Sequence, residues 1–104
     1  MAKIDVNQVA RFEAAYELMG DLIAIFRVTK EGNTDGITEQ ELENREIEVM
    51  RERQKLHSDN DEMVKVVRDT YGPLVRDYWK KVINKTKFVM SREFLETKVD
   101  FDLF

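Results

Sequence analysis

DVNQVARFEAAYELMGDLIAIFRVT, running from Asp5 to Thr29, is the stretch on which the reading of the whole chain turns. Asp5 followed by Gln8 forms a variant capping box, with Asp as the N-cap and Gln at the third helical position. Ile4 and Val9 occupy the positions of a hydrophobic staple around that cap. Val9, Phe12, Tyr16, Met19, Ile23 and Phe26 then recur at alternating spacings of three and four, a heptad seam. A second stripe of Ala15, Leu18, Leu22 and Ile25 leaves only a narrow polar face of Glu13, Glu17, Gly20 and Asp21. A helix this apolar needs covering on two sides. The pattern predicts a helix over about 5–29. One stripe would enter the chain's own core, and the seam from Val9 to Phe26 would be an interface with a second copy.

Working outward, Glu31-Gly32-Asn33-Thr34-Asp35-Gly36 is a turn-forming run. Thr38 with Glu41 is a second capping box, and Ile37 with Leu42 its staple. They open a charge-rich helix over about 38–57 with a thin seam of Leu42, Val49 and Leu56, flanked by Ile47 and Met50. Ser58-Asp59-Asn60-Asp61 is the next break, and Asp59 with Glu62 resembles a third capping box. Apolar positions from Met63 to Ile83 then predict a helix over about 60–87, with a break or kink at Gly72-Pro73, where proline removes a backbone donor. In the C-terminal tail, about 91–104, Ser91 caps a short turn through Phe94 and Leu95. Val99 to Phe104 alternates apolar and acidic residues, which suits a short strand or a docked extended tail. The expected fold is all-α: one domain, a three- to four-helix antiparallel bundle, dimeric through its first helix.

Composition agrees. The 104 residues are 42% hydrophobic and 37% charged, too apolar for a disordered chain. One proline and four glycines are too few for the turns of an all-β sandwich. There is no cysteine, which excludes disulfides, thiol catalysis and cysteine zinc sites. The lone His57 cannot build a multi-histidine centre; at a helix end it complements the dipole. No apolar run is long enough to span a membrane, and Met1-Ala2-Lys3-Ile4-Asp5 is not a signal peptide, so the expected compartment is the cytoplasm. The size suits a bacterial or phage protein. The net charge of −4 is uneven: acids dominate from Glu31 to Glu62, and bases from Arg76 to Lys98. Such a bipolar chain can pair head to tail or steer a charged partner.

Several motifs bear on chemistry. The loop from Lys30 to Glu41, with Asp35-Gly36-Ile37, resembles an EF-hand calcium loop in context. Its early ligand positions, however, fall on Lys30, Gly32 and Thr34, where calcium needs oxygen donors that are mostly carboxylates. Glu39, Glu43 and Glu46 share a helix face, as do the magnesium-holding acids of helical nucleotide pyrophosphohydrolases. Tyr78-Trp79-Lys80-Lys81 with Lys85 and Lys87 mixes aromatics and bases as nucleic-acid binders do, against which stand the acidic overall charge and the fit of Tyr78 to the core stripe.

Lys30, the following loop and Arg45-Glu46 are similar in layout to the all-helical chorismate mutases. That resemblance implies an intertwined helical dimer in which Lys30, Arg45 and Glu46 act on a dicarboxylate substrate. The family's two further arginines on the first helix have no match here. Asp102-Leu103-Phe104, with Phe101 before it, resembles the peptide by which bacterial proteins dock on the replication sliding clamp, which implies an adaptor docking through its tail. The residues favour a non-catalytic interaction or regulatory protein, without cofactor or metal, whose partner is a second copy or another protein. The enzyme and the clamp adaptor are the alternatives.

Overall fold

Each helix begins where a side-chain oxygen is placed to accept its free N–H groups. The structure, a computed structural model, describes residues 5–104. Asp5 Oδ1 accepts from the backbone N–H of Asn7 (3.0 Å) and Gln8 (3.1 Å) and starts α1, Val6–Val28. Ile4, the outer half of the expected staple, lies outside the described residues. Thr38 opens α2, Glu39–Gln54, with a complete capping box. Its Oγ1 accepts from Glu41 N (3.2 Å) while Glu41 Oε2 accepts from Thr38 N (2.8 Å). The staple residues Ile37 and Leu42 are buried beneath it.

The third cap is Asn60 rather than Asp59. Asn60 Oδ1 accepts from Met63 N (3.1 Å), and its carbonyl already accepts the first helical bond from Val64 N (3.1 Å). α3, Asp61–Ile83, runs unbroken through Pro73. The proline is exposed, so water can solvate the carbonyl it leaves without a helical donor. The helix stops at Ile83, short of the expected 87. Lys85 takes a left-handed conformation, φ 54°. Lys85 N then bonds to Val82 O (3.1 Å) and Thr86 N to Lys81 O (2.8 Å), a Schellman ending. Ser91 caps α4, Arg92–Glu96, through Phe94 N (3.0 Å).

Among the described residues there is no strand, only four helices and two 3₁₀ turns, Glu31–Asn33 and Phe101–Leu103. One isolated parallel bridge joins Thr34 to Met90 and ties the loop after α1 to the segment before α4. α1 packs against both α2 and α3. Its stripes meet theirs in a core that includes Met19, Leu22, Val49, Val67 and Tyr71. Phe94 and Phe88 extend that core through edge-on contacts, from Phe26 at one end to Tyr78 and Trp79 at the other, with ring centroids 5.0–5.9 Å apart. Gly20 leaves room for Arg53 of α2 to lie close against α1. A Cβ there would sit 2.9 Å from Arg53 Nη2, whose guanidinium stacks on the Tyr16 ring (3.7 Å) while Nε donates to Tyr16 O (3.0 Å). The tail forms no strand: it docks, with Val99 and Phe101 buried.

The left-handed position at Lys85 costs a β-carbon-bearing residue about 1 kcal/mol that glycine avoids. Lys85→Gly is therefore expected to stabilise the fold by about 0.5–1 kcal/mol, read as a rise in the urea midpoint at unchanged slope.

Candidate functional site

Arg45 anchors the enzymatic reading, and its surroundings decide what it can do. It lies on the buried face of α2 and is 3% exposed. All five of its N–H donors are taken. Nε donates to Leu95 O (3.1 Å). Nη1 donates to Glu48 Oε2 (3.1 Å) and Glu52 Oε2 (3.0 Å). Nη2 donates to Tyr71 Oη (3.1 Å) and Thr97 O (2.8 Å). The Tyr71 hydroxyl is equally saturated: it donates to Glu52 Oε1 (2.6 Å) and accepts from Arg45 and from Val99 N (3.2 Å). Burial, then the hydrogen bond and charge of Glu52, push the Tyr71 phenol up to about 12; Arg45 pulls the other way. For Arg45, burial opposes the charged form, and Tyr71 and Glu52 outweigh it, so its pKa is raised.

This centre has no donor to spare for a substrate. Lys30 and Glu46 line a separate cleft of about 250 Å³ with Arg27, Glu39 and Glu43, and Arg27 Nε pairs with Glu46. Arg45 does not line that cleft. Three of its named residues are carboxylates, which suits a dicarboxylate substrate poorly. Among the described residues no three acidic or histidine side chains stand close enough to hold a metal ion. Glu41, the last ligand position of the EF-hand alignment, is instead bonded to Arg92, with Nη1 at 3.0 Å from Oε1. That bond, helped by Thr38 N–H, holds its carboxyl down at about 2.

The expected interface seam is divided. Met19, Ile23 and Phe26 lie in the chain's own core, Phe12 is half-buried, and Val9 and Tyr16 are exposed. The tail motif is divided as well. Phe101 is buried, while Asp102, Leu103 and Phe104 are exposed.

The surface that remains is the outer face of α3. Asp61, Lys65, Arg68, Arg76, Trp79 and Ile83 follow helical spacing along one stripe. Its first half borders an open cleft of about 710 Å³, lined by Arg11, Asp61, Lys65, Arg68, Asp69 and Arg76. Arg11 is held there by a two-pronged bond to Asp61, 3.1 Å on each side. Its second half borders an apolar groove of about 410 Å³ between Val75, Trp79 and Ile83, edged by Arg76 and Lys80. Arg76 lines both, so the two halves are continuous. Trp79 is 47% and Ile83 75% exposed. The basic-aromatic run singled out Trp79 and Lys80. Lys65 and Arg68 were legible only as polar positions of a helix. Comparison with models of known families, with curated proteins and with solved structures finds no match for this chain. No helix among the described residues is long and apolar enough to cross a membrane.

Two outcomes follow from the Arg45 centre. Arg45→Lys cannot remake a five-donor planar fork and should cost about 3 kcal/mol or more in denaturant titrations, close to the loss for Arg45→Ala. Burial and Glu52 hold the Tyr71 phenol protonated to higher pH in the folded chain than an ordinary phenol, which titrates at about 10. Its contribution is therefore fully present below about pH 10 and lost as pH rises toward 12. Wild type should lose about 2 kcal/mol more than Tyr71→Phe across that window, measured by urea titration at each pH.

Proposed function

We propose that this chain is a non-catalytic interaction or regulatory protein: an antiparallel helical bundle whose working surface is the outer face of α3. The observation that carries the reading is the pairing of Trp79 and Ile83 in an open groove with Arg76 and Lys80 at its rim. Large aromatic anchors ringed by arginine and lysine are the residues from which binding hot spots are built. Nothing in the chain's own fold claims them. Trp79 meets Tyr78 edge-on and keeps 47% of its surface exposed. The saturation of Arg45 and its separation from Lys30 and Glu46 support a binding role over an enzymatic one. Self-association belongs to the reading, but not through Met19, Ile23 and Phe26, which the chain's own core already covers.

A helical segment with an apolar stripe and acidic flanks is the ligand this face suits, the apolar stripe filling the groove and the acids meeting the cationic half. Trp79 is the chain's single tryptophan, so its fluorescence reports the site directly. Titration with a synthetic amphipathic acidic helix should blue-shift that emission saturably. Ile83→Glu should weaken the binding by about tenfold or more while leaving the melting temperature unchanged. An emission spectrum indifferent to the peptide would remove the reading.

A further inference from the structure

The reading of α3 as the working face leaves its occupant open, and the molecule carries a complementary surface of its own. Glu39, Glu43, Ile47 and Met50 are exposed along the outer side of α2, with Glu46 half-buried beside them. Beyond them Met50 lines a groove of about 300 Å³ between α1 and α2, shared with Tyr16, Ala24 and Gln54. The two cations at that groove are already engaged within the chain, Arg27 with Glu46 and Arg53 with Tyr16.

We propose that the outer face of α3 in one copy docks on the outer face of α2 in a second copy, head to tail. The order of residues along the two helices argues for it. α3 reads net cationic first, where Lys65, Arg68 and Arg76 outnumber Asp69 and Asp61 is already paired with Arg11, and apolar second (Trp79, Ile83). α2 reads acidic first (Glu39, Glu43) and apolar second (Ile47, Met50), with Glu46 between them held by Arg27. Laid parallel, acid meets base and apolar meets apolar along the whole contact, and Trp79 reaches the groove beside Met50. The spacings agree: Glu39 to Met50 on α2 and Arg68 to Trp79 on α3 each span about 17 Å. Antiparallel docking would set Glu39 and Glu43 against the apolar half. A symmetric contact with the helices parallel would oppose Lys65, Arg68, Arg76 and Lys80 of α3, or the carboxylates of α2, to their own copies, and one with the α3 helices antiparallel along their whole length would set the cations against the apolar half.

Two different patches make the contact heterologous, so each pair keeps a free face at either end and adds copies until a ring closes or a filament runs on. One helix against another buries less than a standard interface, so the association is weak and depends on salt.

The experiment is sedimentation equilibrium of the full chain from about 10 μM to about 1 mM, at about 50 mM and about 500 mM salt. The expected mass average starts at 12.3 kDa, rises with concentration at low salt and falls back at high salt. Trp79→Glu blocks the α3 face and Met50→Lys the α2 face; both sites are exposed, and thermal melts check that both variants stay folded. Each alone should remain monomeric. Mixed in equal amounts they should form a dimer and nothing larger, since one retains the α2 face and the other the α3 face.

A wild type that stays monomeric throughout overturns the proposal, as does a variant that dimerises alone or a mixture that does not associate. If the monomeric chain still shifts its Trp79 emission with the acidic peptide, the occupant is a foreign helix and the working-face reading survives. A shift produced by a single-stranded oligonucleotide instead would overturn both.

Discussion

The buried guanidinium of Arg45 is the constraint on which the rest of the structure depends. Taking such a charge out of water costs several kcal/mol unless every donor is met. Here the partners come from three places: Glu48 and Glu52 on the same helix, Tyr71 on α3, and the carbonyls of Leu95 and Thr97 at the end of α4. Satisfying the charge therefore fixes where α4 and the tail must lie. Tyr71 extends the lock by accepting from Val99 N, which sets Val99 and Phe101 into the core. Apolar burial supplies adhesion without direction, and this network supplies the direction. No buried side-chain polar atom among the described residues lacks a partner.

That internal arrangement also determines what is left for function. Most of the strong cationic and anionic groups of α2 face inward or pair across the loops, as with Arg92 and Glu41 or Arg27 and Glu46. The heptad seam of α1 is largely consumed by the chain's own helices. What stays open is a strip along α3 that combines cations with a tryptophan and an isoleucine, and an acidic strip along α2 with its own apolar end. A chain with net charge −4 that separates its charges in this way carries oppositely signed surfaces on one small body. The asymmetry first seen as a bias between Glu31–Glu62 and Arg76–Lys98 thus becomes a property of faces rather than of segments.

The caps of α1, α2 and α4, the charge segregation and the all-helical class were legible in the residues alone. Each rests on interactions within about four residues, and a string of amino acids displays these directly. The third cap was displaced by one residue because Asp59 and Asn60 are both competent acceptors, and only the register that buries Met63 and Val64 chooses between them. The early end of α3 was hidden because a lysine, not a glycine, takes the left-handed position.

Tertiary structure alone decided the rest. Arg45 reads in sequence as a charged residue of a polar helix, and by resemblance as a cation for substrate; its structural role is hidden because its partners at Tyr71, Leu95 and Thr97 lie 26, 50 and 52 residues away. Met19, Ile23 and Phe26 are apolar whether they meet a second copy or α2 and α3. Periodicity states that a stripe must be covered and is silent on what covers it. The same silence concerns the tail, where Phe101 and Leu103 alternate identically on paper. Phe101 joins the core and is buried, and Leu103 is left in water.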